Sequence, residues 1–166
     1  MTAYVPGLLE RLMGERAQTG QGAAAGRAGI EQLKDSVARD LEALLNTRTA
    51  LAQDVLAAYP LARASVLNYG LADFAAFCLS SSADRAAICA ALAEAIARHE
   101  PRLGHVSASL EPAAQDGKGV NRLAFVIHAT LQAGPGAAID TVDFNAVLQP
   151  STLHYAVGKP GRNLPP

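Results

Sequence analysis

The sequence predicts an α+β fold, with N-terminal helices packed on one face of a small, mainly antiparallel sheet of three to four strands. Three observations carry this. Apolar residues recur at helical spacing from about Ile30 to Asn46, and again from Ser81 to His99. Beyond Leu103 the period drops to two. Between the two regimes stands His99-Glu100-Pro101-Arg102-Leu103, where the Pro101 ring stops a helix and pushes Glu100 toward extended backbone. Helices in one block and strands in another make a layered domain rather than alternating βαβ units.

The elements follow in order. Leu8, Leu9, Leu12 and Met13 form one face of a short N-terminal helix, with Arg11, Glu15 and Arg16 opposite. Three turns are too few to be stable alone, so this helix must dock on something. Gln18 to Gly29, rich in Gly, Ala and Gln, reads as a flexible linker. Ile30, Leu33, Val37, Leu41, Leu44 and Leu45 then make a clean apolar stripe, and a helix is expected from about residue 29 to 46. Pro60 limits Ala50–Tyr59 to a short helix or turn. Ser65-Val66-Leu67-Asn68-Tyr69-Gly70-Leu71 combines turn formers with apolar neighbours, which suggests a compact loop pinned to the core. Ser81 and Asp84 have capping-box spacing at the start of a second helix whose buried face is Ile88, Leu92 and Ile96. The strands are Val106–Leu110, Leu123–Leu131 and Val142–Leu148, joined by turns at Asp116–Gly119 and Gly134–Gly136. The chain thus divides into a docking helix and linker over 1–28, an α+β domain over 29–157 and a flexible tail over 158–166.

Composition narrows the function. The 166 residues suit one domain, and with half of them hydrophobic and 17% charged the chain is globular. A net charge of −1, from 14 basic and 15 acidic residues, lacks the basic excess of a phosphate-backbone binder. No apolar run reaches the roughly 20 residues needed to cross a bilayer, and the N-terminus does not read as a signal peptide. Cys78 and Cys89 make no disulfide framework and read as small core residues in a reducing cytoplasm.

Several blocks together are specific. Leu8-Leu9-Glu10-Arg11-Leu12, then Arg39-Asp40-Leu41-Glu42-Ala43-Leu44-Leu45-Asn46-Thr47-Arg48, then Leu67-Asn68-Tyr69-Gly70-Leu71, then Glu100-Pro101-Arg102-Leu103 and Val142-Asp143-Phe144 follow in one order. From Leu8 to about Val157 the chain resembles the TssE family, the small baseplate subunits of bacterial type VI secretion. That family is similar to the baseplate wedge proteins of contractile-tailed phages that carry the label lysozyme-like. Asn145, where an acid is expected, and the Ala/Gly-rich linker depart from the pattern. The resemblance implies a structural, non-enzymatic subunit in the bacterial cytoplasm, assembled at the inner face of the cell envelope. Its partners would be TssF and TssG in the wedge, the TssK trimer nearby, and the sheath proteins TssB and TssC. It also assigns the helix bearing Leu8, Leu9, Arg11 and Leu12 to wedge contacts.

The lysozyme label invites a direct test. Glycoside hydrolysis usually needs two carboxylates, ~5 Å apart for retention or ~6.5–9.5 Å for inversion. Glu100 is one candidate, but Arg102 beside it favours the ionised carboxylate, the wrong form for a general acid. Asp116, Asp140 and Asp143 are better read as turn or strand-face residues, and without Trp the chain has few rings to line a sugar groove. His99, His105, His128 and His154 lack paired ligand spacing for zinc. Ser80-Ser81-Ser82 lacks the nucleophile elbow, and Gly117-Lys118-Gly119 lacks the frame of a phosphate loop. No catalytic, cofactor or metal residue is assigned. Glu100, Pro101 and Arg102 are expected to form a structural clasp or partner interface at the helix–sheet corner.

Overall fold

A computed structural model describes residues 23–49, 51, 53–74, 77–78, 80–111, 123–134, 137–149 and 152–159. Helix α1 spans Ala23–Asn46, and two short helices follow, α2 over Gln53–Ala57 and α3 over Pro60–Arg63. A 3-10 turn covers Val66–Asn68, and α4 runs over Ser82–His99. Strands β1 (Leu103–Leu110), β2 (Leu123–Gly134), β3 (Ala137–Gln149) and β4 (His154–Gly158) complete the elements of the described residues. They form one antiparallel sheet in the order β1-β2-β3-β4, so β1 and β4 are its edges. The α+β architecture read from the sequence is the one observed.

The core lies between the two long helices and one face of the sheet. Leu33, Val37, Leu41, Leu44 and Leu45 of α1 are buried, as are Ile88, Leu92, Ala95 and Ile96 of α4. They meet Phe125, Ile127, Ala129 and Leu131 of β2, Val142, Phe144 and Ala146 of β3, and Tyr155 and Val157 of β4 in one cluster. Alternation puts these side chains on one face, and burial of a large apolar side chain contributes about 1.5–3 kcal/mol. Helix α1 packs along β4 and α4 along β1, so each long helix accompanies one edge.

Four local expectations need correction. Helix α1 starts at Ala23, so Ala23–Gly29, expected in the linker, is helical; its alanines favour helix more than its two glycines oppose it. The tail boundary at residue 158 falls inside a strand. Gly158 closes β4 and is buried, and Lys159 Nζ pairs with Glu31 at 2.7 Å and Asp35 at 2.9 Å. Ser81 does cap α4 by accepting from the Asp84 N–H at 3.3 Å, but the Asp84 carboxylate accepts from the Cys78 N–H at 2.9 Å instead of closing the box on Ser81. Cys78 is exposed in the approach to that helix, Cys89 is half-buried, and both are free thiols. The expected turn at Asp116–Gly119 lies outside the described residues.

The segment after α1 is held by one close approach. Leu71 pairs with Arg48 in an isolated parallel bridge, with Leu71 N–H donating to Thr47 O at 2.9 Å and Thr49 N–H to Leu71 O at 3.0 Å. Gly70 beside it has φ +113, and a Cβ there would stand 2.5 Å from Thr47 O. Both the backbone conformation and the backbone neighbour demand glycine. Gly70→Ala should therefore cost about 2 kcal/mol or more, read as a lowered denaturant midpoint with unchanged slope. A midpoint equal to the parent's would show that the loop relaxes freely.

Candidate functional site

The helix–sheet corner brings together residues from two distant stretches. Glu100 is the C-cap of α4, with its N–H donating to Ile96 O at 2.8 Å, and its side chain is turned inward until the residue is only 4% exposed. A buried carboxylate needs a compensating charge and hydrogen bonds. Arg102, two residues on, supplies both. Its Nε donates to Glu100 Oε1 at 2.7 Å, its backbone N–H to the same oxygen at 3.1 Å, and its Nη2 to Oε2. This is the two-pronged geometry that suits a guanidinium and a carboxylate. Pro101 between them is exposed and holds the turn.

Arg102 then reaches back to α1. Its Nη1 donates to the buried Ser36 Oγ at 3.1 Å, and Nη2 also pairs with Asp40 Oδ2. One guanidinium thus joins the end of α4, the start of β1 and the middle of α1. Burial works against its charge, but the hydrogen bonds and charges of Glu100 and Asp40 outweigh that and raise its pKa above the usual arginine value.

His99 completes the corner. Its Nε2 lies 3.0 Å from Asn68 O, and its ring meets Tyr69 edge-on at 5.3 Å. Burial lowers its pKa, with Arg98 adding to the effect, against the opposing hydrogen bond to the Asn68 carbonyl. Asn68 is fully buried, and its side-chain amide donates to Arg63 O at 3.0 Å. The corner is therefore continuous with the turn that carries Val66 and Leu67.

That turn departs from expectation. Asn68, Gly70 and Leu71 are pinned inward, but Val66 is 80% exposed and Leu67 61%. With Leu61, Tyr59 and Val55 also exposed, α2, α3 and the turn present a run of apolar side chains to solvent. Exposed apolar side chains gathered in this way are a feature that interaction surfaces use. The only signal in the sequence was negative: these residues fit no helical or strand period. The expected docking helix with Leu8, Leu9, Arg11 and Leu12 lies outside the described residues.

These features belong to a known frame. A family model described as baseplate wedge protein gp25 matches residues 31–136, well over half of the chain. The chain belongs to the gp25 baseplate wedge family. No curated protein matches it. The family match contains the whole corner, with Ser36, Asp40, Glu100 and Arg102, and stops before β3. Membership gives the chain a structural role in a phage tail-like baseplate, among other baseplate components. Among the described residues no helix is long and apolar enough to cross a membrane, and no three His, Cys, Asp or Glu residues group as metal ligands.

The corner makes a specific forecast. Arg102→Ala strands a buried carboxylate and should cost roughly 3–5 kcal/mol. Arg102→Lys should recover only part, since a point charge cannot serve Glu100, Ser36 and Asp40 together. Paired replacement by Glu100→Gln and Arg102→Met should be much milder than Arg102→Ala alone. Thermal melts of the four proteins decide this, and equal losses for the single and paired variants would contradict it.

Proposed function

We propose that this protein is the wedge subunit of a bacterial type VI secretion baseplate, acting by protein–protein contacts. In this reading it sits in the cytoplasm at the inner face of the envelope, bound to TssF and TssG, near TssK, and it joins the wedge to the sheath proteins TssB and TssC. The observation that carries the reading is the family match over residues 31–136 on a fold built for contacts. The sheet is not a closed barrel, so its β1 strand presents an edge of the kind that another chain can extend, and the apolar run from Val55 to Leu67 offers a side-chain surface. The order of sequence blocks that resembles the TssE family favours type VI secretion among contractile systems. Leu8, Leu9, Arg11 and Leu12 are assigned to wedge docking. Glu100, Pro101 and Arg102 are assigned to a clasp that fixes the corner presented to partners.

The reading is non-catalytic. Both oxygens of the Glu100 carboxylate are engaged by Arg102, and Asp40, its nearest acidic neighbour in the corner, shares the same guanidinium. An acid held in this way has both oxygens taken up inside the chain rather than offered to a leaving group. A peptidoglycan hydrolase and a cytosolic adaptor on the same fold are the competing readings.

Affinity capture of the tagged full chain from cells expressing the secretion genes separates the three. The wedge reading expects TssF, TssG and sheath protein to be retained, with no muralytic activity in the purified chain. Muralytic activity that Glu100→Gln abolishes would establish the hydrolase. Retention of unrelated proteins alone would favour the adaptor.

A further inference from the structure

The exposure of the apolar run after α1 is built into the fold. Ser65 Oγ donates to Ala62 O at 2.8 Å and accepts from the Leu67 N–H at 3.3 Å, which joins α3 and the turn into one piece. The Asn68 side chain bonds Arg63 O, and Arg63 Nη2 pairs with Glu94 Oε1 on α4 at 2.6 Å. The piece is thus anchored to α4 with Leu61, Val66 and Leu67 in solvent. Since Asn68 is buried and bonded, the turn cannot roll these three side chains into the core. Apolar surface gathered in this way gains from a cover of matching size.

The chain carries such a cover. Leu8, Leu9, Leu12 and Met13 recur at helical spacing, and residues 14–22, rich in Gly, separate them from Ala23, where α1 begins. From Met13 to Ala23 this tether spans at most about 33–36 Å. Its relaxed end-to-end length is about 16–19 Å for a Gly-rich chain.

The exposed turn lies within that compass. The His99 ring ties it to the helix–sheet corner through Asn68 O and Tyr69, and the corner's partners on α1 are Ser36 and Asp40. These stand 13 and 17 residues after Ala23, about 20 and 26 Å along the helix. A tether whose relaxed length approaches the span it must cover gives the highest effective concentration, on the order of millimolar. A second copy of the chain at micromolar concentration does not compete with that.

We propose that in the free subunit the segment bearing Leu8, Leu9, Leu12 and Met13 folds back on its own chain and covers the surface formed by Leu61, Val66 and Leu67. Arg11, Glu15 and Arg16, on the opposite face of the segment, stay in water. The same segment is assigned to wedge docking, so binding the wedge would take the segment and uncover the surface in one exchange. Only that exchange rests on the wedge reading; the contact in the free chain does not.

Disulfide trapping in the free full chain tests the contact. In a Cys78→Ala, Cys89→Ala background, thiols placed by Leu9→Cys and Leu67→Cys should close an intrachain disulfide under mild oxidant. The rate should exceed that of a Leu9→Cys, Ser109→Cys chain, whose second thiol is at an exposed β1 position, by at least about tenfold. Adding Leu8→Ser and Leu12→Ser should bring the faster rate down to that of the Ser109 pair. Equal rates for the two pairs, or a rate that the serines leave unchanged, overturns the proposal. Cross-linked dimers in place of the intrachain product also overturn it and make a second copy the occupant. No wedge protein is present, so failure here leaves the wedge reading standing, and failed capture of TssF and TssG leaves the intrachain contact standing.

Discussion

A single guanidinium holds the layers of this fold in register. Arg102 follows the proline that ends α4, and from that corner it neutralises the buried Glu100, bonds Ser36 and pairs with Asp40. Burying a carboxylate carries a heavy desolvation cost, and a lone arginine partner at the surface would offset little of it. Here the partner is itself largely enclosed and is fixed on three sides. The direction in which the sheet leaves α4 is thereby tied to the position of α1.

From that tie the functional surfaces follow. With α1 fixed over β4, Glu42 and Asn46 meet the outward backbone of Tyr155 and Val157 and close that edge. With α4 fixed along β1, its alanines stand beside the opposite edge of the sheet. Through His99 and Asn68 the same corner is joined to the turn that exposes Val66 and Leu67. A baseplate component must meet several neighbours at set angles. A stiff corner with distinct surfaces on either side suits that demand better than a deep pocket would.

Much of the fold was legible in the sequence because its periods are strong. The stripe from Leu33 to Leu45, the helix from Ser82 and the alternation from Leu123 to Leu131 all declare themselves within one element. The stop at Pro101 is a local steric matter and was equally visible. What could not be read is what joins elements far apart. Arg102 lies 62 residues from Asp40 and 66 from Ser36, and no pattern in the chain links them. Strand β4 offers only Tyr155 and Val157 as inward residues after Pro150, too few for a period to emerge. The exposed Val66 and Leu67 looked like core residues because apolar type, without spacing, says nothing of direction.

The most direct test of the corner is a double-mutant cycle between Asp40 and Arg102, using Asp40→Asn and Arg102→Gln and their combination, read by chemical denaturation. The two residues touch only through the tie between α1 and the start of β1. A coupling of about 1 kcal/mol or more is expected if that contact holds the layers together. Strict additivity of the two single losses would contradict the account.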